Sequence, residues 1–218
     1  MNMKSENIDV LYPPWMFRRE DESPDSEFYA EPRLVVHVDE YAVWDIGQYL
    51  GNVLPENGVI LDLLSSWRSH LPAGFRASKV VGLGMNAFEM ENNPHLDEYS
   101  IHDVNIDPIL PFDDATFDAV LLTVSIQYLV KPVQVFREVN RILKPSGGFH
   151  VIYSNRMSPT KAVLIWRESD DLGHSRLVSS YFLRSAGWED IATNYISKPR
   201  GFYTDPVYVV AANRVSDG

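Results

Sequence analysis

The sequence predicts one α/β domain, a three-layer sandwich with helices on both faces of a mostly parallel seven-stranded sheet and an antiparallel strand at its C-terminal edge. Two patterns predict it. Short apolar runs alternate with segments of helical periodicity, which implies parallel strands joined by right-handed crossovers. The last two runs follow each other with no helix between them, which implies antiparallel pairing. With 218 residues, 45% of them hydrophobic, the chain can build one sizeable core and has little room for a second.

Residues 1–36 mix aromatic and acidic side chains with Pro13, Pro14 and Pro24. This composition suits an irregular arm, either laid over a crevice as a lid or packed on the helices; residues 37–218 form the domain proper. Val38, Tyr41, Ala42, Trp44, Ile46, Tyr49, Leu50 and Val53 recur at mostly helical spacing, so a helix is expected over Val38–Leu54, closed by Pro55 to Gly58. Val59–Leu64 is a short apolar run interrupted by Asp62, the pattern of a strand covered on both faces. Further strands are expected at Lys79–Gly84, Ser100–Val104 and Phe117–Val124.

Val133–Leu143 places Phe136, Val139 and Ile142 on one helical face and stops at Pro145, Gly147 and Gly148, after which a fifth strand begins at Phe149. A helix over Arg176–Ala186 and strands at Ile191–Ile196 and Val207–Ala211 complete the pattern.

Composition excludes several functions. The absence of cysteine removes disulfides, thiolate metal sites and a cysteine nucleophile, and a reducing compartment, the cytoplasm, is the expected location. A formal charge of -11 with no basic patch disfavours nucleic acid and anionic membranes. No apolar stretch reaches the length of a membrane span. The first residues, with Lys4, Glu6 and Asp9, lack the form of a secretory signal. The six histidines show no zinc-ligand spacing, so no metal is expected. A phosphate-cradling glycine-lysine loop and a Gly-x-Ser-x-Gly elbow are both missing.

In a doubly wound sheet, ligands bind beyond the carboxyl ends of the strands where strand order reverses. The residues following the strands are therefore the candidates. Asp62 needs a partner, because an unpaired charge in an apolar strand end is costly; a bound ligand or its own loop would supply one. Ser154, Asn155 and Arg156 form a donor-rich cluster, in which Arg156 would either bind an acidic substrate group or pair on the surface. His37 beside Asp39 offers a base with an orienting acid, or a structural pair.

The stretch Leu110-Pro-Phe-Asp-Asp-Ala-Thr-Phe-Asp-Ala-Val120 resembles the "LPF-x-D-x-x-FD-x-V" signature of class I S-adenosylmethionine-dependent methyltransferases, especially the type 11 branch. Phe136-Arg-Glu-Val-Asn-Arg-Ile-Leu-Lys-Pro-Ser-Gly-Gly148 is similar to that family's "E-x-x-R-v-L-K-P-G-G". The resemblance covers about residues 55–212 and implies a Rossmann-like fold, S-adenosylmethionine as cofactor, S-adenosylhomocysteine as product and a methyl acceptor.

Two departures accompany it. Where typical members follow the first acid with "x-G-x-G-x-G", this chain has Asp62-Leu-Leu-Ser-Ser-Trp-Arg-Ser-His70. Where they end the second strand with a ribose-holding acid, it has Gly84, within Val80-Val-Gly-Leu-Gly-Met-Asn86. The combination resembles a methyltransferase-like subgroup with its own glycine-free pattern. Ser65 and Ser66 can bind a carboxylate and Asn86 a ribose hydroxyl; alternatively Trp67 and Arg68 fill the methionine space and cofactor binding is lost.

Carried over residue by residue, the resemblance places cofactor contacts at Asp62, Ser65, Ser66, Gly84, Met85, Asn86, Asp103, Val104 and Ser125, with Asp103 at the family's adenine-contacting acid. The methyl-transfer site would hold His37, Tyr128 and Arg156, although Tyr128 also suits core packing and Asp103 a turn cap. The expected reading is a methyltransferase of a small-molecule acceptor, monomeric or homodimeric. The alternative is a methyltransferase-like binding or regulatory protein that has lost the cofactor.

Overall fold

The computed structural model describes residues 12–216. Its centre is a seven-stranded sheet in the order β3-β2-β1-β4-β5-β7-β6. The strands are β1 (Val59–Leu63), β2 (Lys79–Gly84), β3 (Glu98–Ile101), β4 (Phe117–Thr123), β5 (Leu143–Ser154), β6 (Trp188–Tyr195) and β7 (Val207–Arg214). The helices are α1 (Asp25–Phe28), α2 (Glu40–Val53), α3 (Ala87–Glu91), α4 (Pro132–Ile142), α5 (Leu164–Arg167) and α6 (Asp171–Ser185).

Strands β1 to β5 are parallel to one another, and β7 is antiparallel to both β5 and β6. The C-terminal strand is antiparallel, as the sequence implies, and lies one place in from the edge. The side chains explain this order. Val207, Val209 and Val210 are buried, as an interior strand requires, whereas β6 is largely exposed and suits the edge.

Each sheet face has its own core. On one, Phe136, Val139 and Ile142 of α4 meet Phe149, Tyr181 and Phe182; on the other, Ala42, Ile46 and Leu50 of α2 cover Ile60, Leu121 and Val209. Each fully buried Leu, Ile or Phe contributes about 1.5–3 kcal/mol, so the two faces supply most of the stabilisation.

Several boundaries differ from expectation, among them the start of β6 at Trp188 and the end of β7 at Arg214. The third strand ends at Ile101, and Asp103 stands in the following turn with its Oδ1 accepting the N–H groups of Asn105 and Ile106 at 2.9 and 3.2 Å. The fifth strand starts at Leu143, because the Lys-Pro-Ser-Gly-Gly segment is an irregularity within it: pairing jumps from Phe117↔Leu143 to Ala119↔Gly148. Helix α6 starts at Asp171, capped by Asp170 Oδ1 accepting from Gly173 N at 2.7 Å, so polar residues at its start hide its first turn.

Both family-like motifs serve as structural clamps. Arg141 donates to Leu110 O, Phe112 O, Asp114 Oδ1 and Glu138 Oε2, while Glu138 Oε2 accepts from Leu110 N at 3.0 Å. Asp118 accepts from Val59 N at 2.8 Å and from Lys144 Nζ at 2.9 Å, joining β1, β4 and β5.

The described part of the N-terminal arm is docked across the carboxyl ends of the strands. Leu164 N donates to Arg18 O and Asp21 N to Thr160 O, both at 2.8 Å. Beneath it, the fully buried Lys161 donates to Ser23 O at 2.6 Å and lies 3.4 Å from the carboxylates of Asp21 and Asp25, and Arg19 pairs with Asp25 at 2.6 Å.

Candidate functional site: a roofed crevice at the strand-order reversal

Strand order reverses between β1 and β4, and beyond their carboxyl ends lies a cavity of about 140 Å³. Its floor includes Asp62, Gly84, Asp103, Thr123 and Ser125, and its roof includes Tyr29, Arg33 and His37 from the arm.

Asp62 is buried at the end of β1, and its Oδ2 accepts from the hydroxyls of Ser65 at 2.6 Å and Ser69 at 2.7 Å. Burial pushes its pKa up to about 6, with the two hydroxyls opposing the shift. The loop thus supplies the partner that the sequence demanded for this carboxylate.

Leu64 has φ 59°, a left-handed conformation that costs a leucine roughly 1–2 kcal/mol. It stands at the first glycine of the family-like pattern, where glycine would take the same conformation without that cost. Val124, just after β4, is also left-handed at φ 53°, a strained state for a β-branched residue. Strain therefore flanks the crevice on both strands of the reversal.

Beyond Leu64 the loop folds onto β2. Ser65 N donates to Leu83 O at 2.8 Å, and an added Cβ at Gly84 would collide with the Ser65 carbonyl oxygen. This contact explains the missing acid at the end of β2, since only glycine fits there. Ser66 Oγ donates to Glu89 Oε2 at 2.6 Å, and Asn93 Nδ2 donates to Ser66 O at 2.9 Å and Ser69 Oγ at 3.0 Å. The serines are cross-linked to α3 and the turn after it.

Glu89, buried and in the crevice wall, is a polar group that the sequence reading missed. The signal was Asn86 followed three residues later by an acid, which marks a helix start. Asn86 does cap α3, its Oδ1 accepting from Glu89 N at 3.1 Å. Its amide donates to Tyr29 O at 2.8 Å and Ala30 O at 3.2 Å, so it holds the arm in the position where a ribose contact was expected. Glu89 Oε1 accepts from Arg33 N at 2.7 Å, and Trp67 Nε1 donates to Val35 O at 2.8 Å. Arg68 stacks over Trp67, its guanidinium carbon 4.4 Å from the ring centroid.

Other candidates separate by position. Met85 and Ser125 line the crevice, with Ser125 Oγ donating to Thr123 O at 3.0 Å. Val104 also lines it while its side chain belongs to the core. Tyr128 lines it too, and its hydroxyl accepts from Ser158 N at 2.8 Å, fixing the segment after β5. Thr123 Oγ1 is buried in the wall with no partner among the described residues.

His37 stands exposed at the rim, its pKa lowered by desolvation and partly restored by Glu89. Asp39 does not orient it: Asp39 Oδ1 caps α2 through Ala42 N, and Oδ2 accepts from Asp205 N at 2.6 Å. Arg156 pairs with the buried Asp205, Nε to Oδ1 at 2.8 Å, the surface pairing that the sequence allowed, and is not among the crevice residues.

Solved structures of S-adenosylmethionine-dependent methyltransferases share this fold. One from Mesorhizobium loti matches with TM-score 0.54 and 17% identity over 79% of this chain and 98% of that one. The fold is that of the S-adenosylmethionine-dependent methyltransferases. Residues 77–151 match the methyltransferase domain family, type 11, a span that holds both clamps and begins after the serine loop.

The methyltransferase fold also relates the chain to a Haloferax volcanii complex of the Trm112 methyltransferase activator with a methyltransferase, at TM-score 0.57 and 17% identity over 82% of this chain and 92% of that one. The [4+2]-cyclase SpnF matches at TM-score 0.61 and 15% identity, covering 88% and 92%. One curated relative, the biotin biosynthesis bifunctional protein BioHC of Teredinibacter turnerae, is 32% identical over 65 residues, 30% of this chain and 11% of that protein. The chain thus matches a small part of that relative's length.

Proposed function

We propose that the chain is a cytoplasmic S-adenosylmethionine-dependent methyltransferase of a small-molecule acceptor, monomeric or homodimeric, with S-adenosylhomocysteine as product. The observation that carries this reading is the strained left-handed turn at Leu64, two residues after the buried Asp62, at the position where the family's pattern places its first glycine.

The chemistry of the wall fits the cofactor. Asp62 stands where a cationic amino group would be held, the Thr123 hydroxyl has bonding capacity to spare, and Asp103 and Val104 border the place for a base. Ser65, Ser66, Asn86 and Ser125 complete the proposed contacts. Bound there, the cofactor supplies an electrophilic methyl group on a sulfonium. The chain's own task is alignment and exclusion of water, with His37 at the rim taking a proton where the acceptor must lose one. The charge of -11 favours a small acceptor over nucleic acid.

Asp62→Ala tests the reading. We expect the circular dichroism spectrum to be kept and the thermal shift given by S-adenosylhomocysteine to disappear; an undiminished shift would remove Asp62 from the site.

A second reading, a methyltransferase-like binding or regulatory protein, is favoured by one contact: the Ser65 carbonyl already fills the space over Gly84. The SpnF cyclase illustrates that this fold does not dictate one reaction. Under this second reading the wild-type chain gives no thermal shift with either cofactor form.

A further inference from the structure

At the β2 end of the crevice the arm engages Asn86, Glu89 and Trp67. Asn86 spends both amide hydrogens on the carbonyls of Tyr29 and Ala30, and Glu89 accepts the Arg33 N–H and the Ser66 hydroxyl. Trp67 fixes Val35 O from the neighbouring loop. Under this roof the cavity is about 140 Å³, whereas pockets for cofactor-sized ligands hold roughly 300–1,000 Å³.

The roof is also anchored outside the crevice. Lys161, fully buried, binds Ser23 O and faces Asp21 and Asp25, and it is not a crevice residue. The bonds that Tyr29, Ala30 and Arg33 make are of the kind a diol would make: acceptors for an amide and a donor to a carboxylate.

We propose that residues 29–35 are a built-in competitor for the sugar end of the crevice, and that Glu89 and Asn86 bind the ribose hydroxyls once this strap withdraws. The proposal rests on the methyltransferase reading above. Glu89 takes over, from the first turn of α3, the part that Gly84 cannot play. The strap lowers apparent cofactor affinity by the fraction of molecules in which it is withdrawn.

Two measurements on the full chain test it. Hydrogen exchange of the Arg33 amide, with and without saturating S-adenosylhomocysteine, reads the strap directly. Ligand binding ordinarily protects amides, whereas displacement from Glu89 makes Arg33 exchange faster; slower or unchanged exchange at saturation overturns the proposal.

Lys161→Met loosens the anchor at a residue that does not itself line the crevice, behind its partner Asp25 and the Phe28 ring, which do, and calorimetry should show S-adenosylhomocysteine binding tighter by roughly ten-fold. Equal or weaker binding by a folded variant contradicts the strap, and if the variant does not fold, the exchange result decides alone. Binding by the wild type without strap release sinks this inference and leaves the methyltransferase reading standing. No binding by either chain sinks both.

Discussion

Leu64 and Asp62 carry the argument at the scale of single residues. If the Leu64 turn is strained, Leu64→Gly should be more stable than Leu64→Ala by about 1 kcal/mol in urea denaturation, the reverse of the usual order of these residues. Equal midpoints would remove the strain.

Asp62 titrates near 6 in the folded chain against an ordinary value of 3.8, so its protonated form is the one that folding favours. That contribution is complete below about pH 4 and is lost as pH rises through 6. The neutral Asp62→Asn should therefore gain stability relative to wild type between pH 4 and 6, and a constant difference across that range would refute the shift. The sequence exposed Asp62 because a charge in an apolar strand stands out. Glu89 stayed hidden, since an acid in a first helical turn is ordinary and its partners, Ser66 and Arg33 N, are distant in the chain.

At the scale of elements, the two motifs that carry the family resemblance join the segment before β4 to α4 and β5. Arg141 makes its bonds to Leu110 O and Phe112 O through a planar fork that lysine cannot reproduce. Arg141→Lys should cost about 1–2 kcal/mol, read as a lower denaturation midpoint; an unchanged midpoint would show that the clamp contributes nothing. Most strands were legible from their apolar runs, because strands buried on both faces leave few polar residues. Helix α3 was not, being only Ala87–Glu91, too short for helical periodicity to show. The arm was legible only as irregular composition, since its docking depends on backbone groups and on Lys161, whose burial no local pattern announces.

At the scale of the molecule, acid lability should come from buried neutral histidines. His150, with Nδ1 2.9 Å from the Tyr49 hydroxyl, is pulled by desolvation down to about 4, as is His70. Both bind protons more readily when unfolded, so stability present above pH 6.5 is lost as pH falls towards 4, against the opposing trend of Asp62. His150→Gln should flatten that loss; an unchanged slope would show that His150 is not its source.

The fold was readable as a whole because alternating strands and helices admit few topologies. The serine loop was not, because its conformation follows from the contact between Ser65 O and Gly84, a pair far apart in sequence. Everything functional turns on whether that loop, without a glycine, still receives the cofactor. Isothermal titration of the wild-type chain with S-adenosylmethionine and S-adenosylhomocysteine asks this directly. Saturable heat with a dissociation constant on the order of micromolar, about -8 kcal/mol, is expected. Absence of heat and of any thermal shift at millimolar ligand would contradict the methyltransferase reading and leave a methyltransferase fold put to another use.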